Sequence, residues 1–593
     1  MADLHLLDQI GGTEEENAEF KKLQAELLDD PDNFETWEKL VRAAEGLEGG
    51  INRNSNPQAI TTVRQTYDRF LAKFPLLFGY WKKYADLEFS IAGTEAAEMT
   101  YERGIASIGS SVDLWANYCS FKAETSHEAS IIRELFERGA SSVGLDFLAH
   151  PFWDKYIEFE ERLDANPEIF AILGRVIHIP MHQYARYFER YRLMAQTLPI
   201  SELAPEETIA AFRAELEAAS AQLGQPPKAE SEFERDLRVR VDTYHLEIFA
   251  NTQTETTKRW TFESEIKRPY FHVTELDEGQ LLNWNKYLDF EEAEGSFART
   301  QFLYERCLVT CAHYDQFWLR YARWMAAQPG KEEEVRIIYQ RAAYLYVPIA
   351  NPTVRLHYAY FEEMSDRVDV AKDIHLAILM NLPSHVETIT SLANLCRRQG
   401  GLDAAIEVYK SQLGLEECEM ATKAVLVSEW AHLLWKIKGS PDEARKVFLE
   451  NQQYYSSSQP FWASYLTFEI EQPTSADTES AQYERIKQVI ADIRSKSALQ
   501  DDAVKELVQI YMRYLLERGT KNTAKDYMTL DREIHGPLSV ASARVGGAAA
   551  VYPTPADGQF TSVPPLRPTP DAVAAVQGQA YYQQPPVNGG VAA

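Results

Sequence analysis

The chain has 593 residues, of which 45% are hydrophobic and 25% are charged, so it can bury a large core, and global disorder is excluded. Its 89 Asp and Glu residues outnumber its 60 Lys and Arg residues, which gives a net charge of −29. Such an excess of negative charge repels phosphate over most of the surface, so direct binding of nucleic acid would need a local basic groove. Five cysteines without a C-x-x-C pair, no secretory leader and no apolar run of membrane-spanning length predict a reduced, soluble, intracellular protein.

An acidic segment, residues 1–29, precedes a series of repeats. Six of the eleven tryptophans are followed at +3 by tyrosine, where chance predicts fewer than one such pair. The +6 position is apolar in all six copies, and four copies carry Glu at +7. Positions 0, +3 and +7 share one helical face, so the pattern predicts one amphipathic helix, helix A, in several copies. The signature residues of helix A are Trp81, Tyr84, Glu88, Trp115, Tyr118, Trp153, Tyr156, Glu160, Trp284, Tyr287, Glu291, Trp318, Tyr321, Trp462, Tyr465 and Glu469.

A second signature, an aromatic residue followed by Glu or Gln and then Arg, begins 20 or 21 residues after five of these tryptophans. Turn-like segments separate the two signatures, which predicts a hairpin of helix A and helix B. Stacked hairpins bury the face that one hairpin leaves open, which is the architecture of an α-solenoid. We also expect the +7 Glu of helix A to pair with the Arg of helix B in the same hairpin. The signature residues of helix B are Tyr101, Arg103, Phe136, Arg138, Tyr304, Arg306, Tyr339, Arg341, Tyr483 and Arg485.

The repeats fall into two blocks, and weaker copies near Trp37 and between residues 358 and 448 extend them. The N-terminal block covers residues 30–195. The spacing then breaks, and an Ala/Glu-rich helix from Pro205 to about Leu223 predicts a helical linker over residues 196–234. The C-terminal block covers residues 235–535. Residues 536–593, with nine prolines after position 536, predict a disordered tail.

The combined pattern, W-x-x-Y-x-x-F-E on helix A and Y-E-R on helix B, resembles the half-a-TPR (HAT) repeat. The order of motifs also resembles the pre-mRNA-processing factor 39 family, on Arg268 to Val273, Leu281 to Phe290, Tyr304 to Leu308 and Phe317-Trp318, with further agreement in the N-terminal block. The resemblance covers residues 30–535. It implies a non-catalytic, nuclear protein-binding scaffold of the U1 small nuclear ribonucleoprotein that acts in splicing when the 5′ splice site is recognised.

The same resemblance implies partners. Members of the family dimerise through the C-terminal HAT block, with themselves or with a HAT-repeat paralogue, and we expect this region at residues 430–535. The resemblance also implies that the paired scaffold engages the zinc-finger protein subunit of the particle. We expect no cofactor, no metal and no membrane association.

Other interpretations stay open at this stage. Cys307, Cys311 and His313 lie close together, but a zinc site needs a fourth ligand, and buried cysteines that pack between helices are favoured. No nucleotide-binding or hydrolase motif is present in the sequence. A HAT scaffold of the mRNA 3′-end cleavage machinery and a TPR-like co-chaperone adaptor remain alternative functions.

Three groups of basic residues interleave with aromatic residues, a composition that suits RNA. Ion pairing with the surplus carboxylates is the alternative, and it predicts that RNA association is mainly indirect. The groups are Arg186, Arg190 and Arg192; Arg235, Arg238 and Arg240; and Lys258, Arg259, Lys267 and Arg268.

Overall fold

The structure is a computed structural model that describes residues 10–222, 229–475, 477–519, 521 and 523–535, and every regular element in these ranges is helical. The predicted all-α class is therefore confirmed. The predicted tail, 536–593, and residues 1–9 lie outside the described residues.

The first twelve α-helices lie between Glu14 and Glu265. They are α1 (Glu14–Asp29), α2 (Phe34–Gly46), α3 (Pro57–Lys73), α4 (Phe78–Ala92), α5 (Thr94–Ser107), α6 (Val112–Thr125), α7 (Ala129–Val143), α8 (His150–Arg162), α9 (Asn166–Val176), α10 (Tyr184–Ala195), α11 (Glu206–Gln222) and α12 (Glu230–Glu265).

The remaining helices follow a non-helical segment, residues 266–277. They are α13 (Glu278–Glu294), α14 (Phe297–Thr310), α15 (Asp315–Ala326), α16 (Glu332–Arg341), α17 (Thr353–Met364), α18 (Val368–Asn381), α19 (Val386–Gly400), α20 (Leu402–Gly414), α21 (Met420–His432), α22 (Pro441–Asn451), α23 (Gln459–Ile470), α24 (Glu479–Lys496), α25 (Asp501–Arg518) and α26 (Thr523–His535).

The chain divides into two compact units, one that ends at Tyr455 and one that begins at Ser456. The first unit contains α1–α22. In it, each helix A packs on its own helix B, as α4 does on α5 and α19 on α20. Successive A helices also pack on each other, α4 on α6 and α6 on α8. These nearest-neighbour contacts are those of a solenoid.

In some hairpins, a very short turn joins helix A to helix B. Gly93 is the only residue between α4 and α5, and Gly401 has the same place between α19 and α20. Their φ values of 92° and 86° lie in the left-handed region that glycine adopts without a Cβ clash. The two helices of each hairpin are thereby held close together.

The predicted Ala/Glu-rich helix is present as α11, and a much longer helix follows it. With 36 residues, α12 is about 54 Å long. It packs on α10, α11 and α13, so it carries the chain from the N-terminal hairpins to the C-terminal ones within the first unit.

The second unit contains α23–α26, in which α23 packs on α24 and α25, and α25 packs on α26. Trp462 is fully buried in it. The hydroxyl of Tyr483 donates to a carboxylate oxygen of Asp526 at 2.7 Å, which joins α24 to α26.

Candidate protein-interaction surface

The tryptophans of helix A build the core of each hairpin. In five hairpins, the indole Nε1 donates to the carbonyl oxygen six residues upstream, for example at 2.8 Å for Trp81, 2.9 Å for Trp115 and 2.8 Å for Trp318. Each bond fastens the start of helix A to the turn before it. Trp284 is also fully buried, but its Nε1 has no acceptor in the described part of the chain.

The +3 tyrosines face the preceding hairpin. Five of these rings stack on the aromatic ring of the previous helix B, with centroids 4.5–5.0 Å apart, within the range that favours aromatic pairs. The pairs are Tyr67 with Tyr84, Tyr101 with Tyr118, Phe136 with Tyr156, Phe262 with Tyr287, and Tyr304 with Tyr321.

A carboxylate follows each of these helix B aromatics, and it binds two groups of the next hairpin. Glu102 is an example: it accepts the Tyr118 hydroxyl at 2.9 Å and both terminal nitrogens of Arg138 at 3.0 Å. The same arginine lies over the Trp115 ring, 5.8 Å from its centroid. The hydrogen bonds from Arg138 lower the pKa of Glu102 below its ordinary value.

We call each carboxylate–tyrosine–arginine set a rung, and it recurs along the first unit. The tyrosine–carboxylate distances are 2.9–3.3 Å, and every arginine lies 5.4–5.8 Å from the centroid of its tryptophan. The rungs are Asp68–Tyr84–Arg103, Glu102–Tyr118–Arg138, Glu137–Tyr156–Arg175, Glu263–Tyr287–Arg306 and Glu305–Tyr321–Arg341.

The rungs overturn the expected ion pair within one hairpin. That pair forms at Glu469 and Arg485, 3.3 Å apart. Elsewhere, the arginine of helix B binds the preceding helix B, as Arg103 binds Asp68 at 2.8 Å and Arg306 binds Glu263. The reason is that the arginine is placed on the face that stacks against the previous hairpin, where the rung carboxylate already lies.

The +7 Glu has a different partner, a cation three residues before the aromatic of the preceding helix B. Glu160 is fully buried and takes two hydrogen bonds of 2.8 Å from Arg133. The same contact joins Arg64 to Glu88, Arg259 to Glu291 and Arg336 to Glu362. In one copy the charges are exchanged: +7 is Lys122, and it pairs with Glu98 at 2.7 Å.

Most of the signature residues are buried. Five are partly or largely exposed: Arg103, Arg138, Arg341, Tyr483 and Arg485. The buried ones are Trp81, Tyr84, Glu88, Tyr101, Trp115, Tyr118, Phe136, Trp153, Tyr156, Glu160, Trp284, Tyr287, Glu291, Tyr304, Arg306, Trp318, Tyr321, Tyr339, Trp462, Tyr465 and Glu469. The signature therefore serves mainly to build the solenoid.

Arg306 joins the N-terminal hairpins to the C-terminal ones. This buried guanidinium binds Glu263 of α12 at 2.8 Å and Asp146, in the turn between α7 and α8, at 3.3 Å. Burial raises the pKa of Asp146, and the charge of Arg306 opposes that shift. Sequence reasoning missed Asp146 because it lies in a turn outside both signatures.

The basic groups are largely paired with carboxylates or carbonyl oxygens. Arg186 binds Asp154 at 2.7 Å, and Arg190 binds Glu161. Arg238 donates to the carbonyl oxygen of Ala195 at 2.6 Å, and Arg259 is buried against Glu291. These contacts favour ion pairing over an open groove for phosphate.

Cys307 and Cys311 are buried, and burial raises the pKa of the Cys307 thiol. Within the described ranges, no group of three or more His, Cys, Asp or Glu side chains is placed to hold a metal ion. None of the helices described is long and apolar enough to cross a bilayer.

Comparison with known proteins identifies the class. The family model described as PRP39 N-terminal HAT repeat matches residues 21–193, and the one described as PRP39 C-terminal HAT repeat matches residues 257–398. The chain is thus a HAT-repeat protein. A Schizosaccharomyces pombe protein named pre-mRNA-processing factor 39 is 48% identical over 536 residues, which cover 88% of each chain. The chain belongs to the pre-mRNA-processing factor 39 family, so the resemblance found in the sequence is confirmed.

Two more distant relatives are a human protein and a Saccharomyces cerevisiae protein. The human protein named pre-mRNA-processing factor 39 is 31% identical over 461 residues, 73% of this chain and 66% of that one. A Saccharomyces cerevisiae protein named U1 small nuclear ribonucleoprotein component PRP42 is 24% identical over 306 residues, 50% of this chain and 55% of that one. The crystal structure of CstF-77 has a TM-score of 0.49 at 11% identity, covering 81% of this chain and 92% of that one.

Proposed function

We propose that this chain is a non-catalytic scaffold of pre-mRNA splicing in the nucleus. The observation that carries the proposal is the 48% identity, over 88% of both chains, to a pre-mRNA-processing factor 39. The solenoid supports it because stacked hairpins present a long surface to several partners at once.

The particle we propose is the U1 small nuclear ribonucleoprotein, with action at 5′ splice-site recognition and early spliceosome assembly. The relative named as a U1 component supports this assignment. The paired state of the basic groups supports association through proteins rather than RNA, and we propose the zinc-finger subunit of the particle as one contact.

We further propose that the chain dimerises through residues 430–535, with itself or with a HAT-repeat paralogue. Exposed apolar side chains on α25 and α26 support a contact there, since Leu516 is 65% exposed and Met528 is 48% exposed. Light scattering at micromolar concentration tests self-association. Leu516→Asp should lower the measured mass towards that of a monomer, whereas the equally exposed Leu193→Asp, on α10, should not. A wild-type monomer mass would leave only the paralogue as dimer partner.

The experiment for the scaffold is a pull-down of the tagged full chain from nuclear extract, with and without nuclease. We expect U1 RNA with its core proteins, and we expect those proteins to remain after nuclease treatment. Recovery of cleavage-factor subunits or chaperones in their place would refute the assignment.

The same pull-down tests direct RNA contact. Charge reversal of Arg186, Arg190 and Arg192 should leave U1 recovery unchanged if the contacts are between proteins. The matched control is charge reversal of Lys82, which pairs with Asp86 on an exposed face of α4. A loss of U1 RNA with the triple variant alone would assign an RNA contact to α10.

A further inference from the structure

A cleft of about 960 Å³ opens inside the first unit, between the N-terminal and C-terminal hairpins. One wall consists of the last turns of α3, α5 and α7 and the loops that follow them. The other wall consists of α14, the end of α16 and the π-helical segment Ala342–Tyr346 that continues α16. This volume lies at the upper end of ordinary ligand pockets, and its open shape suits a length of polypeptide.

Two rungs line the cleft, one from each set of hairpins. Asp68 and Arg103 belong to the first wall, and Glu305 and Arg341 to the second. Each arginine is already neutralised by its own carboxylate, and one face of it is covered by a tryptophan ring. The Asp68 side chain is 46% exposed, and its Oδ2 accepts no hydrogen bond from the described residues. Asp68, which lines the cleft, therefore has one carboxylate oxygen open to a further partner.

Helix ends add further negative potential. The C-terminal ends of α3, α5 and α7, with their free carbonyl groups, lie at the first wall. The second wall has one helix N-terminus, that of α14. The last turns of α5 and α7 contain no basic residue, so the partial negative charge at these ends is not offset locally. The whole chain adds its net charge of −29.

Apolar side chains complete the lining. Leu71 and Ile105 lie on the first wall, and Phe302 and Tyr346 lie on the second. Long cationic side chains place their methylene stems against such surfaces and keep the charge near carboxylates and carbonyl groups. The lining therefore combines acceptors for cations with apolar contacts for their stems.

We propose that this cleft binds an extended segment of a partner protein that is rich in arginine or lysine. Partner cations bind the open oxygen of Asp68 and the carbonyl ends of α5 and α7. The inference rests on the proposed scaffold function and names the chemistry of one partner segment. An acidic peptide is disfavoured by the same charges.

The test uses the full chain and fluorescence anisotropy with labelled 15-residue peptides. One peptide has Arg at every third position in a Gly/Ser background, and a second has Glu at those positions. Ser141→Lys places a cation in the last turn of α7, inside the cleft, at an exposed position. Ser411→Lys is the matched control: it is also exposed in a last turn, that of α20, and both serines donate to the carbonyl oxygen three residues back.

We expect the Arg peptide to bind, and to bind less tightly as salt rises, since exposed charges are screened. Ser141→Lys combined with Ala106→Lys should weaken binding by about tenfold, because both added charges repel the peptide at close range. Ser411→Lys should leave binding unchanged. Thermal melting should show that all variants fold, since a cation near a helix C terminus is favourable.

Three results would overturn the inference: no binding of the Arg peptide at roughly 1 mM, binding of the Glu peptide with equal affinity, or equal weakening by the cleft and control variants. A different result would refute the proposed scaffold function without refuting the cleft site. If wild-type protein binds the Arg peptide through the cleft but recovers no U1 particle, the assignment to that particle is wrong and the cleft site stands.

Discussion

In the pair Glu98–Lys122 the acidic and basic residues occupy opposite positions to those in the equivalent pair Arg133–Glu160. This predicts that the charges of Arg133 and Glu160 can also be exchanged. Both pairs occupy the same place, between position −3 of one helix B and position +7 of the next helix A. Arg133→Glu with Glu160→Lys would recreate the natural reversed pair in the neighbouring hairpin. The double variant should therefore lose less stability than the sum of the losses in the two single variants.

The expected magnitudes follow from burial. The Glu160 side chain is 1% exposed, and removal of the partner of a buried charge costs about 3–5 kcal/mol. Arg133 is 37% exposed, so water screens the pair, and we expect about 2 kcal/mol for each single variant. Lysine makes a point contact where arginine makes two bonds, so the double variant should lose about 1 kcal/mol. The coupling energy is then about 3 kcal/mol.

Hydrogen exchange measured by mass spectrometry on the full chain is the suitable assay. Opening in a solenoid is local, so the free energy of opening should change in α7 and α8 and little elsewhere. The control is the same exchange at the exposed pair Lys82–Asp86, where each change should stay within about 0.5 kcal/mol. A double variant as unstable as the sum of the single variants would refute the reasoning, because the two side chains would then be uncoupled.

Three further predictions concern buried groups. Because burial raises the pKa of Asp146, the contribution of this residue to stability is largest below pH 4 and is lost as pH rises through the folded-state pKa. Between pH 4 and 7, the melting temperature of Asp146→Asn should therefore fall less steeply than that of the wild type. Parallel curves of melting temperature against pH would contradict this prediction. Trp318→Phe should cost about 1–2 kcal/mol more than Trp284→Phe in urea unfolding, since only the first loses an indole hydrogen bond, and equal costs would contradict it. Gly139→Ala should destabilise the chain by about 1–3 kcal/mol because the new Cβ would lie 2.5 Å from the Phe152 ring. Gly174→Ala has room for its Cβ and should stabilise α9 by about 0.5–1 kcal/mol. A higher melting temperature for Gly139→Ala than for Gly174→Ala would contradict both predictions.

The tryptophan–tyrosine spacing was sufficient to predict the hairpins, because a ring that must be buried on one helical face leaves a periodic trace in the sequence. The partner of a charged side chain leaves no such trace. The +7 Glu pairs with the arginine of its own hairpin at Glu469 and with a cation of the preceding helix B at Glu160, so the choice of partner depends on how neighbouring helices pack. A usable signal was present: position −3 is Arg beside Glu88, Glu160, Glu291 and Glu362, and it is Glu98 beside Lys122.

The junction between the two sets of hairpins was less accessible to sequence reasoning. The helix α12 packs on different neighbours along its 36 residues, so its apolar positions do not follow one face, and the predicted linker boundary near residue 234 falls inside it. Asp146 is a single acidic residue in a turn, and its contact with Arg306 spans 160 positions along the chain. Contacts of this kind depend on the path of the whole solenoid.

The rungs have a consequence for how such a chain changes length. In the hairpins that form rungs, helix B presents a carboxylate to the next hairpin and an arginine to the previous one, so these interfaces use the same pair of chemical groups. Removal of one whole hairpin would bring a carboxylate and an arginine of the correct kinds face to face. Insertion of a few residues inside a hairpin would instead misplace the stacked rings and the ion pair together. Gain or loss of entire hairpins is therefore the change in length that this architecture tolerates best.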